Sequence, residues 1–288
     1  MSQLREKFKE EVFSDEVVFA VGAYDALSAK IAEKVGFKCL ICGGYPFSAS
    51  ILGKPDKGLL TMTEMVRSIK YIVDATNLPV IADADTGYGS SLNVKRTINE
   101  LEKAGVAAIF LEDQVFPKRC GHMEGKKVIP AIDHVQKIKA AVDARKDDDM
   151  IIIARTDSRS IYGIDDSIKR AQMYAEAGAD ATFVEAPISI EEMEKITNEI
   201  EVPQVANMIK GGKTPFLSIQ ELEKMNFKIA FYTLGVQYAV AKSLWDYMDF
   251  LKTNGTSVGY KDMFEFDEFN EIIDLKEVLK EEKKYSIE

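Results

Sequence analysis

The sequence predicts an α/β chain closed into a (β/α)8 barrel of the TIM type, with extra helices at its C-terminal end. Three observations carry this expectation. Short apolar runs alternate with segments of helical spacing eight times along the chain, which implies a parallel sheet. The stretches KVGFKCLICGG, KAGVAAIFLED and EAGADATFVEA share one design: helix end, glycine, apolar strand, then a conspicuous residue seven places after the glycine. The length, 288 residues, suits a barrel of about 250 residues as one unit. The chain therefore reads as one barrel domain over 1–288, with 236–288 as a helical extension.

Taken in order, MSQLREKFKEEVF reads as an amphipathic helix and resembles neither a secretory signal nor a membrane span. Strands are expected at residues 17–21, 39–42, 80–84, 107–111, 150–154, 181–184, 204–206 and 228–232, with helical spacing between them, as at 65–73 and 166–177. Thr61 with Glu64, Ser189 with Glu192 and Ser218 with Glu221 fit the capping box that opens a helix. Gly36, Gly105 and Gly178 close helices in the left-handed region before the next strand. Beyond the eighth strand, GVQYAVAKSLWDYMDFLKTNGT and FDEFNEIIDLKEVLKEEKKY are helical with no strand between them. The second carries an apolar stripe, Phe269, Ile272, Ile273, Val278 and Leu279, that needs the barrel or another subunit to pack on.

A net charge of -10 argues against nucleic acid or an anionic membrane as the main partner. Three cysteines give no disulfide framework, which points to a reducing, cytoplasmic setting. Cys39 and Cys42 form a nominal C-x-x-C, but residues three apart in a strand point to opposite faces, and no second cysteine pair completes a zinc site. They read as core residues.

The strand ends carry the chemistry. In order they present Asp83 and Asp85, Glu112 and Asp113, Arg155 and Asp157, Glu185, and Asn207. In parallel barrels these ends converge on one mouth, where active sites lie. Asp83 and Asp85, two apart, fall on one strand face, and Glu112 from the next strand joins them. Three crowded carboxylates repel unless one stays protonated or a cation enters. An oxygen-only set favours Mg2+, with Mn2+ as the other candidate. The alternative is that Asp83 or Glu112 caps a helix or pairs with Arg155; for Glu185 it is a hydrogen bond to backbone or an arginine. Glycines at 43, 44, 87 and 89 let the backbone approach a ligand, and the N–H groups of Gly43, Gly44 and Tyr45 could receive a carboxylate.

The loop PKRCGHMEGK follows Glu112 closely and holds Cys120 and His122 among three cations, made pliable by Gly121 and Gly125. It is long enough to fold over the mouth as a lid. Lys118, Arg119 and Lys126 are expected to attract an anionic substrate and to stabilise Cys120 as a thiolate. His122 reads as a hydrogen-bonding residue in so polar a loop, with core packing as the other reading.

ADADTGYG, LEDQ, KRCGH, ARTD and VEAP, in this order and spacing, resemble the isocitrate lyase and phosphoenolpyruvate mutase superfamily over about 17–249. The resemblance implies a Mg2+ site and a small 2-oxo- or 2-hydroxy-carboxylate substrate. It also implies homotetramers in which C-terminal helices swap between neighbours. It makes Asp85 the direct metal ligand, with Asp83 and Glu112 acting mainly through water and Asp56 supporting that water. Gly43, Gly44 and Tyr45, with Gly121, Glu185 and Asn207, would face the substrate. Arg155 would contact its oxygen and carboxylate, Lys118 and His122 would assist, and Cys120 would be the proton donor. The cysteine in KRCGH sets the chain apart from the phosphonate-bond members. Met123 and Glu124, where methylisocitrate lyases place an arginine, bring it nearer the 2,3-dimethylmalate lyases. Ile41 stands where many relatives have a tyrosine, so the base for the substrate hydroxyl stays open; Thr233 and Gly235 lie where relatives vary with substrate.

The implied reaction is retro-Claisen cleavage of a substituted malate to pyruvate and a small carboxylate such as propionate. The metal and Arg155 would hold a pyruvate enolate oxygen while Cys120 protonates the other carbanion. The alternatives are 2-methylisocitrate cleavage, oxaloacetate hydrolysis, or a non-catalytic metabolite-binding barrel.

Overall fold

The computed structural model describes residues 2–286. Eight strands are present: β1 (Val18–Gly22), β2 (Cys39–Cys42), β3 (Val80–Asp83), β4 (Ala108–Glu112), β5 (Ile151–Thr156), β6 (Ala181–Val184), β7 (Val205–Asn207) and β8 (Ile229–Tyr232). All pairings are parallel; β1 to β6 pair in chain order, and β8 pairs with both β1 and β7. A single bridge, Thr182 to Gln204, spans the seam between β6 and β7, so the barrel is nearly closed. Each strand lies within two residues of the segment expected from its apolar run.

The helices are α1 (Ser2–Val12), α2 (Ala26–Val35), α3 (Gly44–Phe47), α4 (Met62–Ala75), α5 (Ser91–Ala104), α6 (Ala131–Ala144), α7 (Arg159–Tyr162), α8 (Ile164–Glu176), α9 (Ile190–Glu199), α10 (Ile219–Lys224), α11 (Gly235–Asn254), α12 (Phe266–Ile272) and α13 (Leu275–Glu282). A π-helical turn, Ser48–Leu52, continues α3. Thr61 and Ser218 open α4 and α10 with reciprocal capping boxes. Ser189 makes only half of one: it accepts from the Glu192 N–H, but the Glu192 carboxylate turns to the Ile188 N–H and to Arg159. An arginine fork outbids one backbone donor there. Gly36, Gly105 and Gly178 adopt the left-handed conformation expected of them.

Strand alternation divides the core in two. Ala20, Ile41, Ile81, Ile153, Phe110, Phe183 and Phe231 point into the barrel, where Phe8 and Val12 of α1 join them and plug its N-terminal end. Val21, Leu40, Ala82, Ile109 and Ile152 point outward against the helices. Cys39 belongs to the inner set and Cys42 to the outer, both fully buried, and burial pushes both thiols up. They pack; they do not form a pair.

The C-terminal helices lie on the outside. Lys30 and Lys34 of α2 pair with Asp274 ahead of α13. No residue of α11, α12 or α13 is buried in the single chain, and Leu244, Trp245, Met248, Phe266, Phe269, Ile273, Val278 and Leu279 are exposed. Among the described residues, no helix is long and apolar enough to cross a membrane.

Candidate active site

The C-terminal strand ends bring most of the expected residues to one cavity. It is lined by Gly43, Gly44, Tyr45, Asp56, Asp83, Lys118, Cys120, Gly121, His122, Arg155, Glu185 and Asn207, over a floor of Phe110, Phe183 and Phe231. A wider cleft at the other end of the barrel, about 460 Å³, is lined by residues such as Val18, Phe19 and Phe37 and has none of the strand-end groups. Chemistry rather than size marks the site.

The three expected carboxylates stand at two kinds of position, and of the three Asp83 lines the cavity itself. Asp83 ends β3 and Glu112 ends β4, as expected from strand alternation. Asp85 does not continue the strand: it sits at φ 47, in a left-handed turn, and its carbonyl accepts from the Glu112 N–H at 2.9 Å. Asp83 is itself the hub of the turn. Its carboxylate accepts from the Asp85 N–H at 2.8 Å and the Gly44 N–H at 2.9 Å. The Gly44 N–H expected to hold a substrate carboxylate is therefore engaged by Asp83. Gly44 is required by crowding, since a Cβ there would lie 3.0 Å from Lys118 Nζ and 3.3 Å from oxygens of both Asp83 and Asp85.

Burial, with Asp85 alongside, raises the Asp83 carboxyl to about 6, and burial holds Glu112 well above the usual carboxylate range. Lys118 from the loop supplies one compensating charge. Its Nζ donates to Asp56 Oδ2 at 2.7 Å and lies 2.6 Å from Asp85 Oδ1, off the direction of a hydrogen bond. Asp56 thus pairs with Lys118, where support of a water molecule was expected. No cluster of three or more His, Cys, Asp or Glu groups preformed for a metal occurs among the described residues. The donor chemistry nevertheless fits a hard divalent cation. Asp85 Oδ1 and both Glu112 oxygens are buried without a hydrogen-bond partner. Six buried carboxylates, Asp56, Asp83, Asp85, Glu112, Asp157 and Glu185, face three buried cations, Lys118, Lys126 and Arg155.

Arg155 ends its reach against carboxylates. Nε and Nη2 donate to Asp157 at 2.9 and 3.0 Å, and Nη2 lies 3.4 Å from Glu112 and 3.5 Å from Glu185. The guanidinium lies over Phe183, 5.2 Å from the ring centre. Glu185 is held by His122, whose Nε2 is 2.8 Å from Oε1, and by the amide of Asn207 at 3.4 Å. His122 Nδ1 accepts from the Lys213 N–H at 2.9 Å, so the ring proton sits on Nε2, facing Glu185. Arg155 and His122 hold the Glu185 carboxyl below its ordinary value. His122 thus has a hydrogen-bond partner in the Lys213 N–H and Glu185 one in the Asn207 amide, while Nε2 and Oε1 meet off the direction of a hydrogen bond.

The loop over 117–126 is folded down. Gly121 is fully committed: a Cβ would lie 2.4 Å from Glu185 Cγ and 2.5 Å from Arg155 Nη2. Gly121→Ala is expected to hold the loop open and lower kcat/KM by about 10²-fold, with the circular dichroism spectrum unchanged. Steady-state kinetics check this.

Cys120 corrects one expectation. Lys118 is turned to Asp56 and Asp85, Arg119 to the Glu124 carbonyl, and Lys126 to Asp157 and the Gly121 carbonyl. None is spent on the thiol. Burial pushes it up to about 11, despite the His122 N–H pointing at it. The loop's cations therefore do not stabilise a thiolate, and the shift runs toward the thiol form.

The three phenyl rings of the floor escaped the sequence reading, although a signal was there. Phe110, Phe183 and Phe231 stand two before Glu112, Glu185 and Thr233, so each shares the inward face of a residue at the mouth. Ile209 and Leu234, which also line the cavity, follow β7 and β8 and had no such signal.

Comparison with known proteins gives concordant results. A family model described as phosphoenolpyruvate phosphomutase matches residues 8–248. The chain is 46% identical over 281 residues to 2,3-dimethylmalate lyase of Eubacterium barkeri, covering 97% of each. It is 43% identical to 2-methylisocitrate lyase of Aeropyrum pernix, over 78% of this chain and 72% of that one. A crystal structure of 2,3-dimethylmalate lyase superposes with a TM-score of 0.93 at 33% identity, over 98% and 95% of the two chains. A phosphonopyruvate hydrolase solved with oxalate and Mg2+ superposes at 0.88 and 25% identity, covering 98% of each.

Proposed function

Because the chain belongs to the phosphoenolpyruvate mutase/isocitrate lyase superfamily and is a lyase of that group, we propose that it cleaves a substituted malate of the 2,3-dimethylmalate type into pyruvate and propionate. The observation that carries this reading is the Cys120 thiol, which lines one cavity together with Arg155, Asp83 and Glu185.

Breaking the bond between C2 and C3, as the hydroxyl proton passes to a base in the cavity, turns the C2 hydroxyl oxygen into the keto oxygen of pyruvate and leaves the electron pair on substrate C3, which becomes C2 of propionate. Pyruvate therefore departs as a ketone, and the expectation of a pyruvate enolate is withdrawn. The carbanion character at C3 needs a proton, and the half-buried Cys120 thiol in the cavity wall is placed to give one. Arg155, held flat by Asp157, presents fixed positive charge to the C2 oxygen and its carboxylate. His122 and Asn207 keep Glu185 in place beside it. The folded loop excludes water, and the phenyl floor offers apolar contact to the substrate methyls.

Asp85, with Asp83 and Glu112 behind it, would hold a divalent cation, Mg2+ by preference and Mn2+ as the other candidate. That ion would supply Lewis-acid stabilisation of developing negative charge on oxygen. The Mg2+ in the phosphonopyruvate hydrolase relative supports this assignment.

Glu124, beside Met123, is exposed and paired with Lys213. The test is pyruvate release from 2,3-dimethylmalate, 2-methylisocitrate and oxaloacetate with Mg2+. The first should give the highest kcat/KM; oxalate and acetate from oxaloacetate as the main products would replace this reading. The exposed apolar face of α11 to α13 supports a homotetramer with exchanged C-terminal helices. Light scattering should give the mass of four chains, and a fully active monomer would refute it.

A further inference from the structure

We infer that Asp157 is a positioning residue that ties the closure of the Cys120 loop to the orientation of Arg155, through Lys126. This inference rests on the lyase reading for its kinetic consequences but not for its geometry.

Asp157 lies just past β5, fully buried, and its two oxygens serve different masters. Oδ2 accepts from Arg155 Nε at 2.9 Å, and Oδ1 from Arg155 Nη2 at 3.0 Å. This two-point grip fixes the plane of the guanidinium. It leaves Nη1, which makes no hydrogen bond among the described residues, for the cavity. Oδ1 also accepts from Lys126 Nζ at 3.0 Å. Lys126 belongs to the loop, and the same ammonium donates back to the Gly121 carbonyl, one residue from Cys120. A single carboxylate oxygen therefore touches both the arginine and the lysine that folds the loop upon itself.

The anchor is rigid. The Asp157 N–H donates to Asp113 Oδ1 at 2.9 Å, and Asp113 Oδ2 accepts from Thr156 Oγ1, the Tyr174 hydroxyl and Arg170 at 2.8, 2.9 and 3.2 Å. The strand end is thus pinned from the helix side of the barrel. Closing the loop brings Lys126 against Asp157 and Gly121 over Arg155 in one movement. Opening it withdraws Lys126 and leaves Asp157 with the guanidinium alone. One group then sets when the acid arrives and where the positive charge points.

The test uses trypsin cleavage after Arg119, followed by mass spectrometry on the full chain with Mg2+ and oxalate, together with steady-state kinetics. Lys126→Met and Asp157→Asn should each be cut at least about tenfold faster than the parent, the scale of one charged hydrogen bond. The double variant should be cut no faster than Lys126→Met, because both break one latch. Asp157→Asn should lower kcat more than it raises KM, and Lys126→Arg, which keeps the charged donor, should retain the protection and turnover that Lys126→Met loses. Parental cleavage rates in both single variants, or fully additive effects in the double, overturn the inference. If Asp157→Asn does not fold, Lys126→Met decides alone: faster cleavage supports the latch and parental cleavage refutes it. Proteolysis needs no turnover, so a loosened loop in a protein that cleaves no malate would remove the lyase reading and leave the latch standing.

Discussion

Replacing Cys120 by serine is expected to lower kcat by about 10²- to 10⁴-fold, the range of a well-placed general acid. The thiol is half-buried, and desolvation shifts it toward its protonated form. A serine hydroxyl of similar size holds its proton far more tightly, so transfer to C3 slows while the cavity keeps its shape. Affinity for oxalate should change little, since the thiol is not one of the groups that hold carboxylates. Kinetics and calorimetric titration on the same preparation check both halves. Near-parental turnover, or a stable covalent adduct on Cys120 formed from substrate, would show that the residue has another role.

The second large effect concerns Asp85. Asp85→Asn should reduce turnover by at least about 10³-fold, equivalent to several kcal/mol of lost charge stabilisation. Chelation of the parent enzyme with EDTA should do the same, reversed by Mg2+. Asparagine is the informative substitution because the residue sits at φ 47, which asparagine tolerates and alanine does not. Unchanged thermal denaturation alongside lost turnover would place the effect in the site. Full activity in metal-free buffer would remove the divalent cation from the mechanism.

Much of this arrangement was legible in the chain. The βα rhythm located every strand to within two residues, because buried parallel strands read as apolar runs and glycine marks the helix stops. Asp83, Glu112, Arg155 and Glu185 could be assigned to one mouth because a parallel barrel has all its strand ends on one side. What escaped depends on which distant groups meet. Lys118 reaches Asp56 across 62 positions, and nothing local forecasts that the pair forms. The loop's cations looked available to Cys120 in sequence, yet in space carboxylates claim the two lysines and a backbone carbonyl claims Arg119, so desolvation dominates the thiol's acidity instead. Glu192 was read as a capping partner until Arg159, from another helix, competed for it. Local rules hold until tertiary contacts offer a stronger partner.

The reaction itself can be followed atom by atom. 2,3-Dimethylmalate is incubated with the enzyme and Mg2+ in D2O, and the products are resolved by NMR. Pyruvate and propionate should appear in equal amounts, with one deuteron at C2 of propionate delivered from the exchanged Cys120 thiol and none in newly formed pyruvate. A pyruvate methyl labelled at the rate of turnover, or no pyruvate at all from a preparation that binds oxalate, would contradict carbon–carbon cleavage with protonation at C3.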